Sequence, residues 1–248
     1  MRWLIDVPRT VLTVLAGVLA TIVAVALIVV IAVFDDTSPV IERIIRGWSC
    51  VWLITSRTTL EIDGRENVDP DRSYVVVANH LSAFDIMACL LAVPLPIRFL
   101  AKKELFRIPV LAQGMRTVGI IEVDREARGA VHAEVNRQSK ELIDKGRSLI
   151  IYAEGTRPRN GVMKTFKKGA FTMAISTQLA VLPLSLHGSY EAWPPGTRLI
   201  RGGQIKVVLD KPIETEGLSH SDTGDLRDQV REVIAGRVTE MGGAVAGV

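Results

Sequence analysis

The hydrophobic and polar positions divide the 248-residue chain into two parts with different patterns. From Val11 to Phe34 no charged residue occurs, and crossing a bilayer core takes about 20 apolar residues. Arg2 and Arg9 precede this segment as they would precede a signal peptide. The apolar run is longer than a signal peptide's, however, and Val33-Phe34-Asp35-Asp36 is not a cleavage site of small residues. We therefore expect the segment to remain in the mature chain.

A second apolar segment follows the break at Asp35-Asp36-Thr37-Ser38-Pro39. Val40 to Ser56 has apolar residues at helical spacing, charged residues on the other side, and two tryptophans suited to the headgroup region of a membrane. We predict a helical hairpin that dips into one leaflet, because the second segment is too charged to span the bilayer comfortably. A core helix would show the same pattern. A single crossing directed by Arg2 and Arg9 would place the rest of the chain outside the cell.

From Thr59 onward, short apolar runs alternate with amphipathic segments. The predicted strands are Thr59–Ile62, Tyr74–Ala78, Arg98–Ala101, Gly119–Val123, Leu149–Ala153, Val181–His187 and Ile205–Leu209. The predicted helices are Ala83–Ala92, Glu104–Val118, Ala127–Lys145, Lys168–Thr177 and Thr223–Glu240. This alternation predicts an α/β fold with a mostly parallel sheet covered by helices. We divide the chain into membrane-anchoring helices at 1–57 and a globular domain at 58–248, whose last residues, 241–248, we expect to be a frayed tail.

One stretch, Asn79-His80-Leu81-Ser82-Ala83-Phe84-Asp85, lies where a predicted strand ends and a predicted helix begins. Ligands and reacting groups of open α/β sheets gather at this end of the strands. With His80 in the turn and Asp85 in the first helical turn, the carboxylate can reach one imidazole nitrogen and fix the tautomer. The other nitrogen can then take a proton from a substrate hydroxyl. A turn histidine beside a capping aspartate would show the same spacing.

Two further predicted strand ends carry cations. Lys102 and Lys103 open a predicted helix, whose N-terminal N–H groups favour a phosphate, although lysine pairs are usually solvated. Arg125 follows Asp124 at the end of the next strand, and it can bind a phosphate through two N–H groups or pair with Asp124. Both segments are therefore compatible with a phosphorylated ligand.

The segment Glu154-Gly155-Thr156-Arg157 ends another predicted strand. Glycine lets the backbone approach a ligand closely, Thr156 adds a hydroxyl donor, and Arg157 can hold a phosphate through two N–H groups. Because Glu154 would repel a phosphate, we expect it to orient Arg157 or to bind a substrate hydroxyl. An ordinary turn closed by an ion pair is the alternative. The basic stretch Lys164–Lys168 downstream faces an anionic lipid or carrier, or is simply solvated.

Composition narrows the choice of partners and cofactors. The formal net charge of +3 suits an anionic membrane face or a phosphorylated substrate. It is too small to indicate nucleic acid, and no basic and aromatic stripe supports such a partner. Cys50 and Cys89 lie in apolar segments, which predicts reduced thiols in a cytoplasmic setting. No Cys or His cluster has the spacing of a zinc site, and no phosphate-binding P-loop is present, so we expect no metal.

Four ordered blocks resemble the 1-acylglycerol-3-phosphate acyltransferases, which are the lysophosphatidate acyltransferases within the glycerolipid acyltransferases. They are N-H-x4-D at 79–85; K-x-E-L, I-P and G at 102–119 with the following D-R; E-G-T-R at 154–157 with F-K-K-G at 166–169; and V-x-P at 181–183. The resemblance extends from about Thr59 to Leu209. Four blocks in the right order make the match specific.

The resemblance implies transfer of a fatty acyl group from acyl-CoA or acyl-carrier protein to the sn-2 hydroxyl of lysophosphatidate. The product, phosphatidate, feeds phospholipid synthesis, and no cofactor is needed beyond the acyl co-substrate. His80 would deprotonate the hydroxyl and Asp85 would orient His80. The implied substrate-binding residues are Lys102, Arg125, Glu154, Gly155, Thr156 and Arg157. The helices at 1–57 would then hold the acyltransferase domain at the cell inner membrane, on its cytoplasmic side, where the lipid acceptor lies.

Two departures from the family pattern concern the acceptor. Tyr152-Ala153 replace the usual Phe-Pro, and Glu122 stands where the family usually has a hydrophobic residue. One alternative is therefore the same chemistry on another lyso-lipid, such as a lyso-ornithine lipid or another lysophospholipid. The others are a non-catalytic, membrane-anchored lipid-binding protein on this fold, and a thioesterase that uses water.

Overall fold

The computed structural model describes residues 3–124 and 130–247, with the backbone alone at residues 130–133. The α-helices are α1 (Trp3–Ala32), α2 (Pro39–Thr55), α3 (Phe84–Ala92), α4 (Pro109–Val118), α5 (Ala130–Asp144), α6 (Gly169–Thr177), α7 (Ser189–Ala192) and α8 (Thr223–Glu240). The strands are β1 (Thr58–Asp63), β2 (Val75–Ala78), β3 (Ile97–Lys102), β4 (Ile121–Val123), β5 (Ser148–Tyr152), β6 (Val162–Met163), β7 (Val181–His187), β8 (Gly203–Leu209) and β9 (Ala244–Val245). Short 3-10 helices lie at Arg65–Asn67, Lys103–Arg107 and His220–Asp222.

Seven strands form one sheet in the order β1-β8-β7-β2-β5-β3-β4. Neighbouring strands run parallel except for β7 and β8, which are antiparallel. The predicted fold class, a mostly parallel sheet covered by helices, is therefore confirmed. The second, smaller sheet of the described chain pairs β6 with β9.

The central strand β2 explains why the sheet needs helices on both faces. Val76 and Ala78 pack in a core with α3, whereas Val75 and Val77 pack in a core with α6 and α8. All four residues are fully buried, so the strand is apolar throughout instead of alternating. This arrangement fixes the C-terminal end of β2, where His80 follows, in the middle of the sheet.

The predicted helix Glu104–Val118 is wrong in its first half. The chain forms the 3-10 helix Lys103–Arg107, then an extended residue at Ile108, and α4 begins only at Pro109. A proline disfavours helical backbone in the residue before it and is favoured at the first helical position. At the other end of α4, Gly119 has φ +85° and closes the helix. For that reason β4 begins at Ile121 instead of Gly119.

The C-terminal residues are more ordered than predicted. Residues 241–248 were expected to fray, but Ala244 and Val245 pair in parallel with Val162 and Met163. The N–H of Ala246 also donates to the carbonyl of Met163 at 2.9 Å. The expectation of a frayed tail is therefore wrong for these residues, because β6 supplies a partner that local sequence does not reveal.

The predicted N-terminal helical hairpin is present as α1 and α2. Trp52 of α2 packs against Gly17 of α1, where a side chain would collide with the indole ring. The indole N–H of Trp48 donates to Thr21 Oγ1 at 2.8 Å. The hairpin also packs on the sheet domain, since Glu42 forms an ion pair with the buried Arg98 of β3. The division of the chain at residues 57 and 58 stays a prediction.

Candidate active site

His80 and Asp85 meet as the sequence predicts. His80 Nδ1 lies 2.8 Å from Asp85 Oδ2, and this oxygen also accepts the N–H groups of Leu81 (2.6 Å) and Ser82 (2.7 Å). Asp85 is fully buried, while the His80 side chain is 14% exposed. Because the aspartate accepts at Nδ1, the imidazole carries its proton there when neutral. Nε2, which has no hydrogen-bond partner in the described structure, is left as the basic nitrogen.

The side chain of Asn79 fixes the start of this loop. Asn79 Nδ2 donates to the carbonyl of Leu186, and Asn79 Oδ1 accepts the N–H of Leu186, both at 2.8 Å. The amide thus repeats the pairing of a strand residue and ties the end of β2 to β7. The next residue, His80, is placed by a fully buried contact instead of by a mobile turn.

Glu154 lies directly behind the histidine. One of its oxygens accepts the N–H of His80 at 2.8 Å, and the other accepts the N–H of Lys164 at 2.8 Å. Burial raises the pKa of Glu154 to about 7, although the two main-chain donors act in the opposite direction. Main-chain N–H groups thus bind both oxygens of Glu154, and the described structure shows no ion pair between Glu154 and Arg157. The binding of a substrate hydroxyl by Glu154 stays a prediction.

An aromatic ring that sequence reasoning overlooked covers one face of His80. Tyr152 stacks on the imidazole with ring centroids 3.8 Å apart and planes 8° apart. Its hydroxyl lies 3.8 Å from Cys89 Sγ, a weak contact to α3. The available signal was the position of Tyr152, two residues before Glu154 in the motif.

Two neighbouring strands carry the predicted substrate-binding residues that the structure describes. Lys102 ends β3, and the segment from Glu154 to Arg157 follows β5. Lys102, Thr156 and Arg157 are exposed, and Thr156 Oγ1 accepts from Lys164 Nζ at 3.3 Å. Gly155 has φ +74°, which favours glycine because a side chain would strain the turn there. The chain therefore turns at Gly155 and leaves the side chains of Thr156 and Arg157 exposed to a ligand.

Of the cations at the ends of β3 and β4, the structure describes only those before residue 125. Arg125 lies outside the described residues. Asp124, its suggested partner, forms an ion pair with Lys103 at 2.6 Å. Glu122 lies 4.0 Å from Arg116 Nη2, and both line a polar cavity of about 450 Å³.

An apolar cavity of about 290 Å³ lies between the N-terminal hairpin and the sheet domain. Residues of α1, α2, α3, β3 and α4 line it, and its only charged lining residue in the described chain is Arg98. Phe99 of β3 lines this cavity and also stacks on Tyr152, with centroids 5.9 Å apart. The cavity therefore lies close behind the ring that covers His80.

Comparison with known proteins decides the family. A family model described as Acyltransferase matches residues 59–187, which is more than half of the chain. The chain belongs to the acyltransferase family. The resemblance identified from the four sequence blocks is thereby confirmed. The matched part of this acyltransferase runs from β1 to the end of β7 and includes His80, Asp85 and Glu154.

Relatives of this acyltransferase extend the comparison. It is 32% identical to 1-acyl-sn-glycerol-3-phosphate acyltransferase LPAT1, chloroplastic, from Arabidopsis thaliana over 207 residues, which is 81% of this chain and 57% of that protein. It is 30% identical to 1-acyl-sn-glycerol-3-phosphate acyltransferase alpha from Homo sapiens over 172 residues, which is 69% of this chain and 61% of that protein. The matched part is thus less than two thirds of either protein.

A solved structure resembles this acyltransferase over nearly its whole length. The crystal structure of the 1-acyl-sn-glycerophosphate (LPA) acyltransferase PlsC from Thermotoga maritima has a TM-score of 0.85 and 25% sequence identity. The comparison covers 98% of both chains. The likeness therefore includes the N-terminal helices as well as the sheet.

Proposed function

We propose that this protein transfers a fatty acyl group from a thioester donor to the sn-2 hydroxyl of lysophosphatidate and so forms phosphatidate. The observation that carries the proposal is the pairing of His80 Nδ1 with the buried Asp85 at 2.8 Å, which directs the second imidazole nitrogen away from the aspartate. A histidine held in this way is a general base for a hydroxyl. The names of the relatives support lysophosphatidate as the acceptor.

The reaction then needs no acyl-enzyme. His80 Nε2 takes the proton of the acceptor hydroxyl as its oxygen attacks the thioester carbonyl. The C–S bond breaks when the tetrahedral intermediate collapses, and the imidazolium returns the proton to the leaving thiolate. Asp85 stabilises the imidazolium between these two steps. The donor is acyl-CoA or acyl-carrier protein, both of which present the same thioester.

Two exposed cations at the carboxyl end of the sheet are the proposed ligands of the acceptor phosphate. Arg157 can bind it through two charge-assisted N–H groups, and Lys102 adds a point charge at the end of β3. Gly155 and Thr156 shape the turn between Glu154 and Arg157. We also propose Arg125 as a phosphate ligand, and this assignment rests on the sequence motif alone.

The apolar cavity behind Tyr152 is the proposed binding site for an acyl chain. Its lining is almost entirely hydrocarbon, and burial of each CH₂ group contributes about 0.8 kcal/mol. The cavity opens between the hairpin and the domain, so the helices at 1–57 contribute to the site as well as to attachment.

Membrane attachment is proposed through the exposed face of the hairpin. Helix α1 has 30 residues, is apolar enough to cross a membrane, and leaves most of its large apolar side chains exposed. The N–H of Ile200 donates to Thr10 Oγ1 at 2.8 Å, and Asp36 pairs with Lys145 beyond the other end of α1. Domain contacts at both ends favour a helix lying in one leaflet over one crossing it. Phe34, 87% exposed at the hairpin turn, would enter that leaflet.

We place the protein on the cytoplasmic side of the cell inner membrane. The net charge of +3 suits the anionic cytoplasmic leaflet. Cys50 and Cys89 are both unpaired thiols, which suits a reducing compartment. Flotation with vesicles containing anionic lipid tests the attachment, and Leu15→Glu with Leu19→Glu should abolish it.

The decisive experiment is acyl transfer by the purified protein in detergent. Radiolabelled acyl-CoA or acyl-carrier protein is supplied with lysophosphatidate, and wild type is compared with His80→Ala and with the exposed-histidine control His220→Ala. Phosphatidate from wild type and His220→Ala, but not from His80→Ala, is expected. Product only from a phosphate-free lyso-lipid would overturn the acceptor, and release of free fatty acid without any acceptor would indicate a thioesterase.

A further inference from the structure

We propose that Tyr152 is a positioning residue whose ring face stabilises the positively charged form of His80 during the reaction. The proposal rests on the function proposed above, in which His80 becomes an imidazolium for part of the cycle. The observation behind it is the parallel stack of the two rings, with centroids 3.8 Å and planes 8° apart.

The fold holds this ring from several sides. Strand register pairs Tyr152 with Ala78, two residues before His80. The pairing of β2 with β5 therefore places the Tyr152 ring beside the His80 loop. Phe99 of β3 stacks on the ring of Tyr152, with centroids 5.9 Å apart and planes 26° apart. The hydroxyl contacts Cys89 Sγ on α3 at 3.8 Å. Tyr152 is therefore fixed before substrate arrives, which is the condition for electrostatic preorganisation.

The parallel stack favours the charged form of His80 more than the neutral form. Two neutral aromatic rings prefer an offset or edge-to-face arrangement, because both faces carry partial negative charge. A cation over the face of a tyrosine ring, within about 6 Å of its centroid, is attracted instead. The stack is consequently weaker for a neutral His80 ring than for the imidazolium that forms during the proposed reaction. Such a difference increases the rate of the chemical step.

Tyr152 acts through its ring and does not supply a proton. Burial raises the pKa of its hydroxyl well above the usual range, so the group stays neutral. The charged or titratable groups around the pair are Asp85 on Nδ1, Glu154 on the main chain of His80, Cys89 at the tyrosine hydroxyl, and Arg157 beyond the strand. Because Glu154 also titrates near neutral pH, a pH–rate profile alone would mix two groups.

The test therefore compares variants by kinetics and by imidazole 15N spectra recorded over a pH series. Tyr152→Phe keeps the ring, and Tyr152→Leu removes it. We expect Tyr152→Phe to retain kcat within about twofold. Tyr152→Leu should lose roughly 3- to 30-fold in kcat, with both substrate KM values within about twofold. In the spectra, His80 of Tyr152→Leu should release its ring proton at lower pH than in wild type, and His80 of Tyr152→Phe should not.

Controls keep the outcome interpretable. Phe99→Leu removes a ring that touches Tyr152 but has no stacking contact with His80, and it should leave the His80 titration unchanged. Tyr152→Met is a second ring-free variant if the leucine variant is unstable, since methionine fills irregular spaces. An unchanged His80 titration in both ring-free variants would overturn the proposal. The spectra need no turnover, so a failure of the acyl-transfer assay would be seen separately.

Discussion

Glu154, a residue that is 3% exposed, accepts the main-chain N–H of His80 at 2.8 Å. Its second oxygen accepts the N–H of Lys164, so one side chain joins the histidine loop to two parts of the chain that follow β5. The acid of the E-G-T-R block thereby sets where the histidine of the N-H-x4-D block sits. Two motifs separated by about seventy residues act as one site because of this contact.

Replacing Glu154 by glutamine should destabilise the fold by about 1–3 kcal/mol. A glutamine offers one carbonyl oxygen, and its NH₂ group would face an N–H of His80 or Lys164 that needs an acceptor. Chemical denaturation of Glu154→Gln, beside the exposed control Glu216→Gln, measures the effect. Equal stability of the two variants would show that the two main-chain bonds contribute nothing net.

The buried carboxyl should also make stability depend on pH. The pKa of Glu154 is raised to about 7 in the folded protein, from 4.5 as an ordinary value. The native state therefore binds more protons between these limits, and stability should fall as pH rises from about 4.5 to 7, by roughly 3 kcal/mol in total. Unfolding free energies of wild type and Glu154→Gln over this range provide the measurement. The difference between them should shrink as pH rises and level off above about 7.

Asn79→Ala should lower stability by about 2–4 kcal/mol, since it leaves the N–H and the carbonyl of Leu186 buried without their partner. The exposed Asn136→Ala is a matched control, for which a change within about 0.5 kcal/mol is expected. Thermal melting in detergent compares the three proteins. A loss of activity in Asn79→Ala without any loss of stability would contradict the structural role.

His80→Ala and Arg157→Ala should separate catalysis from binding. Removing His80, the proposed base, should cost about 10²- to 10⁴-fold in kcat. Removing Arg157, the proposed phosphate ligand, should raise the acceptor KM about 10- to 100-fold with kcat little changed. Arg159→Ala is the control for Arg157, because it is exposed on the same loop. Steady-state kinetics with varied acceptor measures both parameters. Equal effects on kcat and KM in both variants would refute the assigned roles.

Glu42→Gln should weaken the attachment of the hairpin to the domain. Arg98 is 1% exposed, and removal of its counterion leaves a buried charge unpaired, which costs about 3–5 kcal/mol. The exposed pair of Glu61 and Lys206 supplies a control, since Glu61→Gln should cost less than about 1 kcal/mol. Denaturation followed by tryptophan fluorescence compares the two variants, and similar losses would show that Arg98 is effectively solvated.

Local sequence was sufficient for most of the elements and for the pairing of His80 with Asp85. Short apolar runs, helical patterns, proline and glycine positions, and a five-residue spacing all act over short distances along the chain. The strand β7 at Val181–His187 and the helix α8 at Thr223–Glu240 have their predicted bounds. The helix predicted from Glu104 is wrong because Pro109 disfavours helical backbone at Ile108, so α4 begins only at Pro109.

What the sequence by itself determined is therefore the α/β order, the apolar hairpin, the family and the His80–Asp85 pair. Only the tertiary structure decided that Glu154 binds the main chain of His80, that Tyr152 stacks on its ring, and that Ala244 and Val245 join a strand. These contacts depend on strand order and register between segments far apart in the chain. Hydrogen bonding and packing select that register for the whole sheet at once, and no local pattern of residues specifies it.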